Sequence, residues 1–388
     1  GAPYEVSHPY ADSDLFRLSY EQFNDVAYLA HKSYAPRRLS RIADTNWTLT
    51  TADFKDGPYL ELPRTTTTLK PSHTGHATPV MTSNTLPSGT ASAANGSNEA
   101  YKIFNHKKNE IVTLSGGASG WVAYDFGAGN AKVVNSYWIT ADEKAHQNGD
   151  SPRQWDLQGS HDGTNWVTLD TRDGETGWSG SETRFFSFDN ETAFRHYRLS
   201  FSGGGGSDAN VTSLAELALG ESGDTMTPFD LTASSTDGIN GGAGFQSSDV
   251  GRTIAIRGAD GRWRWLRITS VTSTTVVKVK LYGYPLPDTS PISMWRMGTF
   301  SGNSGYPGSV CLFNERLMWA RTDAEPVTVY GSKQGVFDDY GISDPQQDTD
   351  GMKITLLSSG MDEILWLVGD EDLIAGSAGQ IRIVGPAD

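Results

Sequence analysis

All-β is the fold class the sequence predicts, and three observations carry it. Short runs alternate apolar and polar residues with the period of two that a half-buried strand requires. Turn formers separate those runs, with 43 glycines and 17 prolines among 388 residues, and aromatic residues make up 11% of the chain. Few stretches show helical periodicity. A chain of this length has room for about two or three domains.

The clearest element is SPRQWDLQGSHDGTNWVTLDT, residues 151–171. Trp155, Leu157 and Gly159 alternate with Gln154, Asp156 and Gln158, which predicts a strand. His161-Asp-Gly-Thr-Asn165 is a compact turn in which Gly163 is free to take positive φ. Trp166, Thr168 and Asp170 then alternate with Val167 and Leu169 on a return strand, so two tryptophans anchor one hairpin.

From the start of the chain, residues 1–60 predict an extended lead-in followed by strands. Leu15–Phe23 reads either as two helical turns or as a loop carrying aromatics. Asp25–His31 alternates as a strand, Tyr34–Arg41 follows it, and Asn46–Thr50 is a third. Phe54–Tyr59 is a turn by its Asp-Gly-Pro composition. Thr65–Pro71 is strand-like, and Met226–Ala233, Phe245–Arg257, Arg262–Thr269 and Thr275–Leu281 add strands joined by tight turns. Together they predict a small barrel over 65–78 and 222–285, interrupted by an inserted domain at 79–221. Near the C-terminus, Leu312–Ala320 and Leu367–Ala375 repeat a strand, acidic turn, strand pattern about 55 residues apart, a period that suits propeller blades. Residues 286–388 thus predict blades, and 1–64 a further one. Because propellers close with about four to eight blades, the expectation is a fragment of a longer polypeptide.

Charge and chemistry exclude several functions. The formal charge of -15 argues against a surface that grips nucleic-acid phosphates. The single Cys311, in the alternating run Val310–Phe313, excludes an internal disulfide framework and predicts a buried apolar-like thiol. No apolar stretch approaches bilayer length, which predicts a protein without membrane insertion. Gly302-Asn-Ser-Gly305 is no nucleophile elbow, and Tyr330–Gly335 lacks phosphate-loop spacing. Acid pairs such as Asp338-Asp339 and Glu371-Asp372 read as solvated turns, so no enzyme is expected.

The segments GWVAYDFG, SYWIT, SPRQWDLQGSHDGTNWVTLDT, FRHYRLSF and SLAELALG follow one another across residues 79–221. In that order they resemble the discoidin, or coagulation factor 5/8 type C, module shared by many galactose-type carbohydrate-binding modules. The resemblance implies a jelly-roll β-sandwich whose loops at one end bind sugar. The matching loops are 141–153, with His146, Asn148 and Arg153, and 173–181, with Trp178. Trp178, set between glycines and serine, reads as the tryptophan exposed there, with a packed ring as the alternative. Relatives also hold a structural calcium through an acid of a turn and a Glu near the C-terminus. Glu216 matches the second, whereas Asn105 stands where the first acid would be, which weakens a hard-oxygen site unless carbonyls suffice.

The flanking segments resemble a second family. YEVSHPYADSDLFRLSYEQFNDVAYLAHKSYAPRRLSRIADTNWTL, FKDGPYLE, FQSSDVGRTIAIRGADGRWRWLRIT, WRMGTF, GYPGSVCLFNERLMWA and PVTVYGSKQGVFDDY are similar to the series in tail nozzle (tail tubular protein B-like) proteins of short-tailed phages. That resemblance implies a virion protein assembled in the host cytoplasm, with a propeller-like platform and a barrel. It would form a ring with copies of itself and contact portal or adaptor and other tail proteins. DNA would pass without sequence-specific binding, and the insert would meet a host surface glycan. The alternative is a non-catalytic secreted carbohydrate-binding protein or depolymerase accessory module. A third reading gives the insert only subunit contacts.

Overall fold

The computed structural model of the protein describes residues 4–94, 97–113, 119–143, 151–203, 213–343, 346–356 and 362–384, with residues 97, 202 and 203 by backbone alone. The chain divides into two compact units. One, the platform, takes Gly1–Ser72, Pro228–Val279 and Asp288–Asp388, and the other, the insert, takes His73–Thr227 and Lys280–Pro287.

The platform begins with a 3-10 helix, Asp12–Arg17, and four antiparallel strands in sequence order: β1 (Ser19–Phe23), β2 (Val26–His31), β3 (Tyr34–Ala43) and β4 (Asn46–Thr51). Leu15–Phe23 therefore takes neither expected form as a whole. Its first half is 3-10 turn with Phe16 99% exposed, and its second half pairs with β2, Tyr20 opposite Leu29. The pairing satisfies backbone groups that two isolated helical turns would leave open. Strand β5 (Leu69–Pro71) follows.

The insert supplies the next ten strands: β6 (Thr90–Ala93), β7 (Val112–Thr113), β8 (Gly120–Asp125), β9 (Ser136–Thr140), β10 (Gln154–Ser160), β11 (Val167–Arg172), β12 (Thr183–Ser187), β13 (His196–Gly203), β14 (Ser213–Leu214) and β15 (Glu216–Gly220). They form a five-stranded sheet ordered β11-β10-β13-β8-β6, a three-stranded sheet β12-β9-β15, and the pair β14-β7. One apolar core built around Trp155, Tyr124, Tyr137, Tyr197, Leu157, Leu199, Leu217 and Leu219 unites them, the arrangement of a β-sandwich. Alternation along β10 leaves Trp155 and Leu157 at 1% and 0% exposure, as period two requires. Gly159 faces Phe194, where an added Cβ would come within 2.6 Å of the ring.

The platform resumes with β16 (Phe229–Ala233), β17 (Thr253–Arg257), β18 (Trp263–Ser273), β19 (Val276–Tyr282) and β20 (Trp295–Met297). With β5 they form one sheet ordered β20-β17-β18-β19-β16-β5, and a bridge between Leu69 and Ile292 ties its two edges into a small barrel. Strands β5 and β16 are hydrogen-bonded neighbours, Pro71 opposite Leu231, although the whole insert separates them in sequence. The ladder starts only at Leu69 instead of Thr65. Side chains take over the earlier backbone groups: Trp295 Nε1 donates to the Thr67 carbonyl at 2.9 Å, and Ser234 Oγ accepts from Thr68 N at 2.9 Å.

A buried clamp locks the barrel to the loops around it. Arg252 Nη1 donates to Asp249 Oδ1 and Asn240 Oδ1, both at 2.8 Å, its Nε to the Gly298 carbonyl at 2.7 Å, and its Nη2 to Ser304 Oγ at 2.8 Å. Asp249 Oδ2 accepts from Gln246 N at 2.8 Å and Asn240 Nδ2 at 2.7 Å. Both charges are thereby paired and hydrogen-bonded, the condition under which burial is tolerated.

Two propeller-like blades follow. Strands β21 (Ser309–Phe313), β22 (Arg316–Ala320), β23 (Thr328–Gly331) and β24 (Met352–Thr355) form a four-stranded meander, and β25 (Trp366–Gly369), β26 (Leu373–Gly376) and β27 (Ile381–Val384) a three-stranded one. Cys311 lies in their shared core at 2% exposure, and burial pushes its thiol up to about 12. It packs as the small apolar residue that its place in the alternation implied.

Candidate functional site

Two loops at one end of the sandwich are brought together by backbone and side-chain bonds. Glu175 N donates to the Arg153 carbonyl at 3.0 Å, Ser181 N to the Asp142 carbonyl at 3.2 Å, and Ala141 N to the Glu182 carbonyl at 2.9 Å. Arg153 is exposed at the head of β10. His146 and Asn148, named with it as sugar-binding candidates, lie outside the described residues.

Trp178 corrects the expectation of an exposed stacking ring. It is 6% exposed and belongs to the sandwich core, with its ring centroid 6.5 Å from that of Trp155. Its Nε1 donates to the Pro152 carbonyl at 3.1 Å, which ties the second loop to the first. The Arg184 guanidinium covers the indole at 4.1 Å, held in turn by Glu175 at 2.9 Å and Glu182 at 2.8 Å. Those acids keep the guanidinium charged, and the Arg184 bonds hold Glu182 below the usual carboxylate range. Local polarity concealed this burial, because the flanking Gly177 and Ser179 carry no apolar period while the indole turns inward alone. Trp178 is the post beneath the loops, and the loop backbone and Arg153 form the surface above it.

The hairpin of β10 and β11 is similarly braced. Asp162 accepts from Thr164 N and Asn165 N, both at 2.8 Å, and from Asn165 Nδ2 at 2.7 Å, while Gly163 takes φ +74. These bonds to the charged form hold the Asp162 carboxyl well below its ordinary value. Beneath the sheet, Trp155 Nε1 donates to the Tyr137 hydroxyl at 2.8 Å, which donates to Asp170 Oδ2 at 2.6 Å. Only Trp155 of the two hairpin tryptophans is a core anchor. Trp166 stands half-buried on the outer face with the Arg198 guanidinium 4.1 Å over its ring. The alternation of FRHYRLSF, which puts Tyr197 and Leu199 inward, is the sequence signal that turns Arg198 outward.

The calcium candidates meet a mixed setting. Glu216 is 6% exposed, and neither carboxylate oxygen has a hydrogen-bond partner of ordinary geometry. Burial raises its pKa well above the glutamate value, offset only in part by the backbone N–H groups of His106 and Lys107. Asn105 is 4% exposed, accepts from Lys107 N at 2.9 Å and donates to Glu110 Oε2 at 3.1 Å. Among the described residues no group of three or more His, Cys, Asp or Glu side chains is placed to hold a metal. The 105–107 turn faces Glu216 with the N–H groups of His106 and Lys107, so Glu216 would be the one charged ligand that these two candidates offer a hard cation.

No protein-family model matches the chain, and a search of curated proteins gave no match. Solved structures do resemble it. One is CpGH89CBM32-5 from Clostridium perfringens, in complex with GalNAc-β-1,3-galactose, at 18% identity over 34% of this chain and 95% of that one, TM-score 0.28. Another is chitosan-binding module 1 of a chitosanase/glucanase from Paenibacillus sp. IK-5, at 20% identity over 36% and 100%, TM-score 0.28. A third is the lectin domain of lectinolysin complexed with Lewis B antigen, at 14% identity over 37% and 100%, TM-score 0.29. The structures it is similar to are thus carbohydrate-binding modules and a lectin domain.

Proposed function

We propose that the protein is a phage virion structural subunit of the nozzle type, whose platform carries an inserted glycan-binding sandwich. The observation that carries this reading is the manner of insertion. A complete sandwich with its own core interrupts the barrel between two strands, β5 and β16, that still pair directly. Such an insertion leaves a scaffold intact while adding a binding unit. The flanking segments that resemble nozzle proteins make up the platform, and a charge of -15 suits a conduit along which DNA slides without sticking. On the insert, residues 151–153 and the 173–181 loop present Arg153 and backbone polar groups from a frame that Trp178 and Arg184 stiffen, which lowers the ordering cost of weak sugar contacts.

A single sugar site of this kind binds in about the millimolar to high-micromolar range, and display in several copies raises apparent affinity by roughly 10²–10⁴. Two measurements test the reading. Averaged images of the protein in its particle should show a rotationally symmetric ring; a free monomer found only outside virions would instead favour the secreted carbohydrate-binding alternative. On an array of neutral glycans the multimerised protein should bind and Arg153→Ala should lose the signal at unchanged melting temperature. An unaltered signal would remove the loops from the site.

A further inference from the structure

The outer face of the five-stranded sheet holds an arrangement that the loop site does not use. Register places Arg198 of β13 opposite Gln158 of β10 and Ala123 of β8, with Ser92 of β6 beyond Ala123. Trp121 of β8 lies one diagonal step away, opposite Ser200. Ser92, Ala123 and Ser200 are small, so no bulky side chain rises between Trp121 and the Arg198–Trp166 stack; Ser92 and Ser200 are half-buried and Ala123 is 8% exposed.

Arg198 is held from two sides. Its guanidinium lies 4.1 Å over the Trp166 ring, and its Nε donates to Gln158 Oε1 at 2.6 Å. Gln158 is fixed in turn by donating from Nε2 to Thr168 Oγ1 at 3.2 Å. Three other arginines of the insert hold carboxylates: Arg172 meets Asp170 at 2.8 Å, Arg184 meets Glu175 at 2.9 Å, and Arg195 meets Asp125 at 2.7 Å. Arg198 forms no such ion pair among the described residues, and the two acids one diagonal step away in register, Asp156 and Asp125, are engaged by the Thr171 hydroxyl and by Arg195, both at 2.7 Å. Partial desolvation even lowers the Arg198 pKa, with no carboxylate opposing it. A stacked, edge-clamped guanidinium whose two terminal nitrogens have no hydrogen-bond partner among the described residues is pre-organised for a planar oxyanion. An indole a step away suits the apolar face of a sugar ring.

We propose that this face is a second glycan site, selective for a carboxylate-bearing sugar such as a uronic or sialic acid, with the acid on the Arg198 fork and the ring against Trp121. The proposal extends the glycan-binding half of the function above and is independent of the tail assignment. Calorimetric titration of the full chain with tri-galacturonic acid, 3′-sialyllactose, galactose 6-sulfate and neutral galactotriose tests it. The carboxylate sugars should bind roughly tenfold or more tighter than galactotriose, with a preference that weakens at high salt. Arg198→Gln should abolish that preference, Arg198→Lys should keep part of it, and Trp121→Ala should weaken the same ligands. Arg153→Ala should leave the preference intact, so failure of the loop site and failure of this face are read separately. The proposal is overturned if acidic and neutral sugars bind the wild type equally, or if the sulfate ester binds tighter than both carboxylates. Loss of the preference in Arg153→Ala, or its survival in both Arg198→Gln and Trp121→Ala, overturns it as well.

Discussion

Replacing Trp178 with alanine empties a site in the sandwich core and releases the loop above it. The indole is 6% exposed, packs 6.5 Å from Trp155 and donates to the Pro152 carbonyl at 3.1 Å. Deleting a buried tryptophan side chain costs about 3–5 kcal/mol. The orphaned Pro152 carbonyl adds about 1 kcal/mol where water cannot reach it. In a unit of this size each kcal/mol lowers the melting temperature by roughly 2–4 °C, so the transition belonging to the insert should fall by about 8–24 °C. Trp178→Phe keeps one aromatic ring in the core while removing the N–H and the volume of the second ring, so its loss should lie between those of wild type and Trp178→Ala. Differential scanning calorimetry of the full chain, with the platform transition as internal reference, reads both. A drop below about 2 °C for Trp178→Ala would refute the burial argument and return the indole to the surface.

Other expectations follow from the same contacts. Arg252→Met strips the partner from buried Asp249 and should destabilise the platform by about 3–5 kcal/mol, read as a lower urea midpoint for that transition; a loss below about 1 kcal/mol would mean that water enters the clamp. His106 is held neutral by burial at a pKa of about 4, below its ordinary 6.5. Its contribution is therefore present above pH 6.5 and is lost as pH falls from 6.5 through 4. His106→Asn, suited to the observed φ of +59, should flatten that limb of the melting-temperature profile, and an unchanged limb would assign it to other groups. Millimolar calcium should raise the insert's melting temperature in the wild type and not in Glu216→Gln; equal responses would exclude Glu216 as a ligand. Residues 73–227 carry the whole core of the insert, so that segment expressed alone should still melt cooperatively, and a spectrum without dispersed amide resonances would contradict this.

The residues themselves determined the all-β class, the hairpin of β10 and β11 and the blade hairpins of β21–β22 and β25–β26. Each of these depends on local physics: period-two burial, and turns that only Gly, Asn or Asp close easily. The buried Cys311 was legible for the same reason, because it sits in phase with apolar neighbours. What the tertiary structure alone decided is which side of the protein a lone residue faces. Trp178 lies among small polar residues and reads as surface, yet Pro152 from another loop and Arg184 from the following strand complete a pocket around it. Trp166 reads as a second anchor of its hairpin, yet Arg198 from another strand holds it on the outer face. Leu15–Phe23 splits into turn and strand because β2 offers a partner to its second half. Pattern along the chain reports a residue's own preference for burial, whereas the free energy of a site is set by partners that only folding brings within a few ångströms.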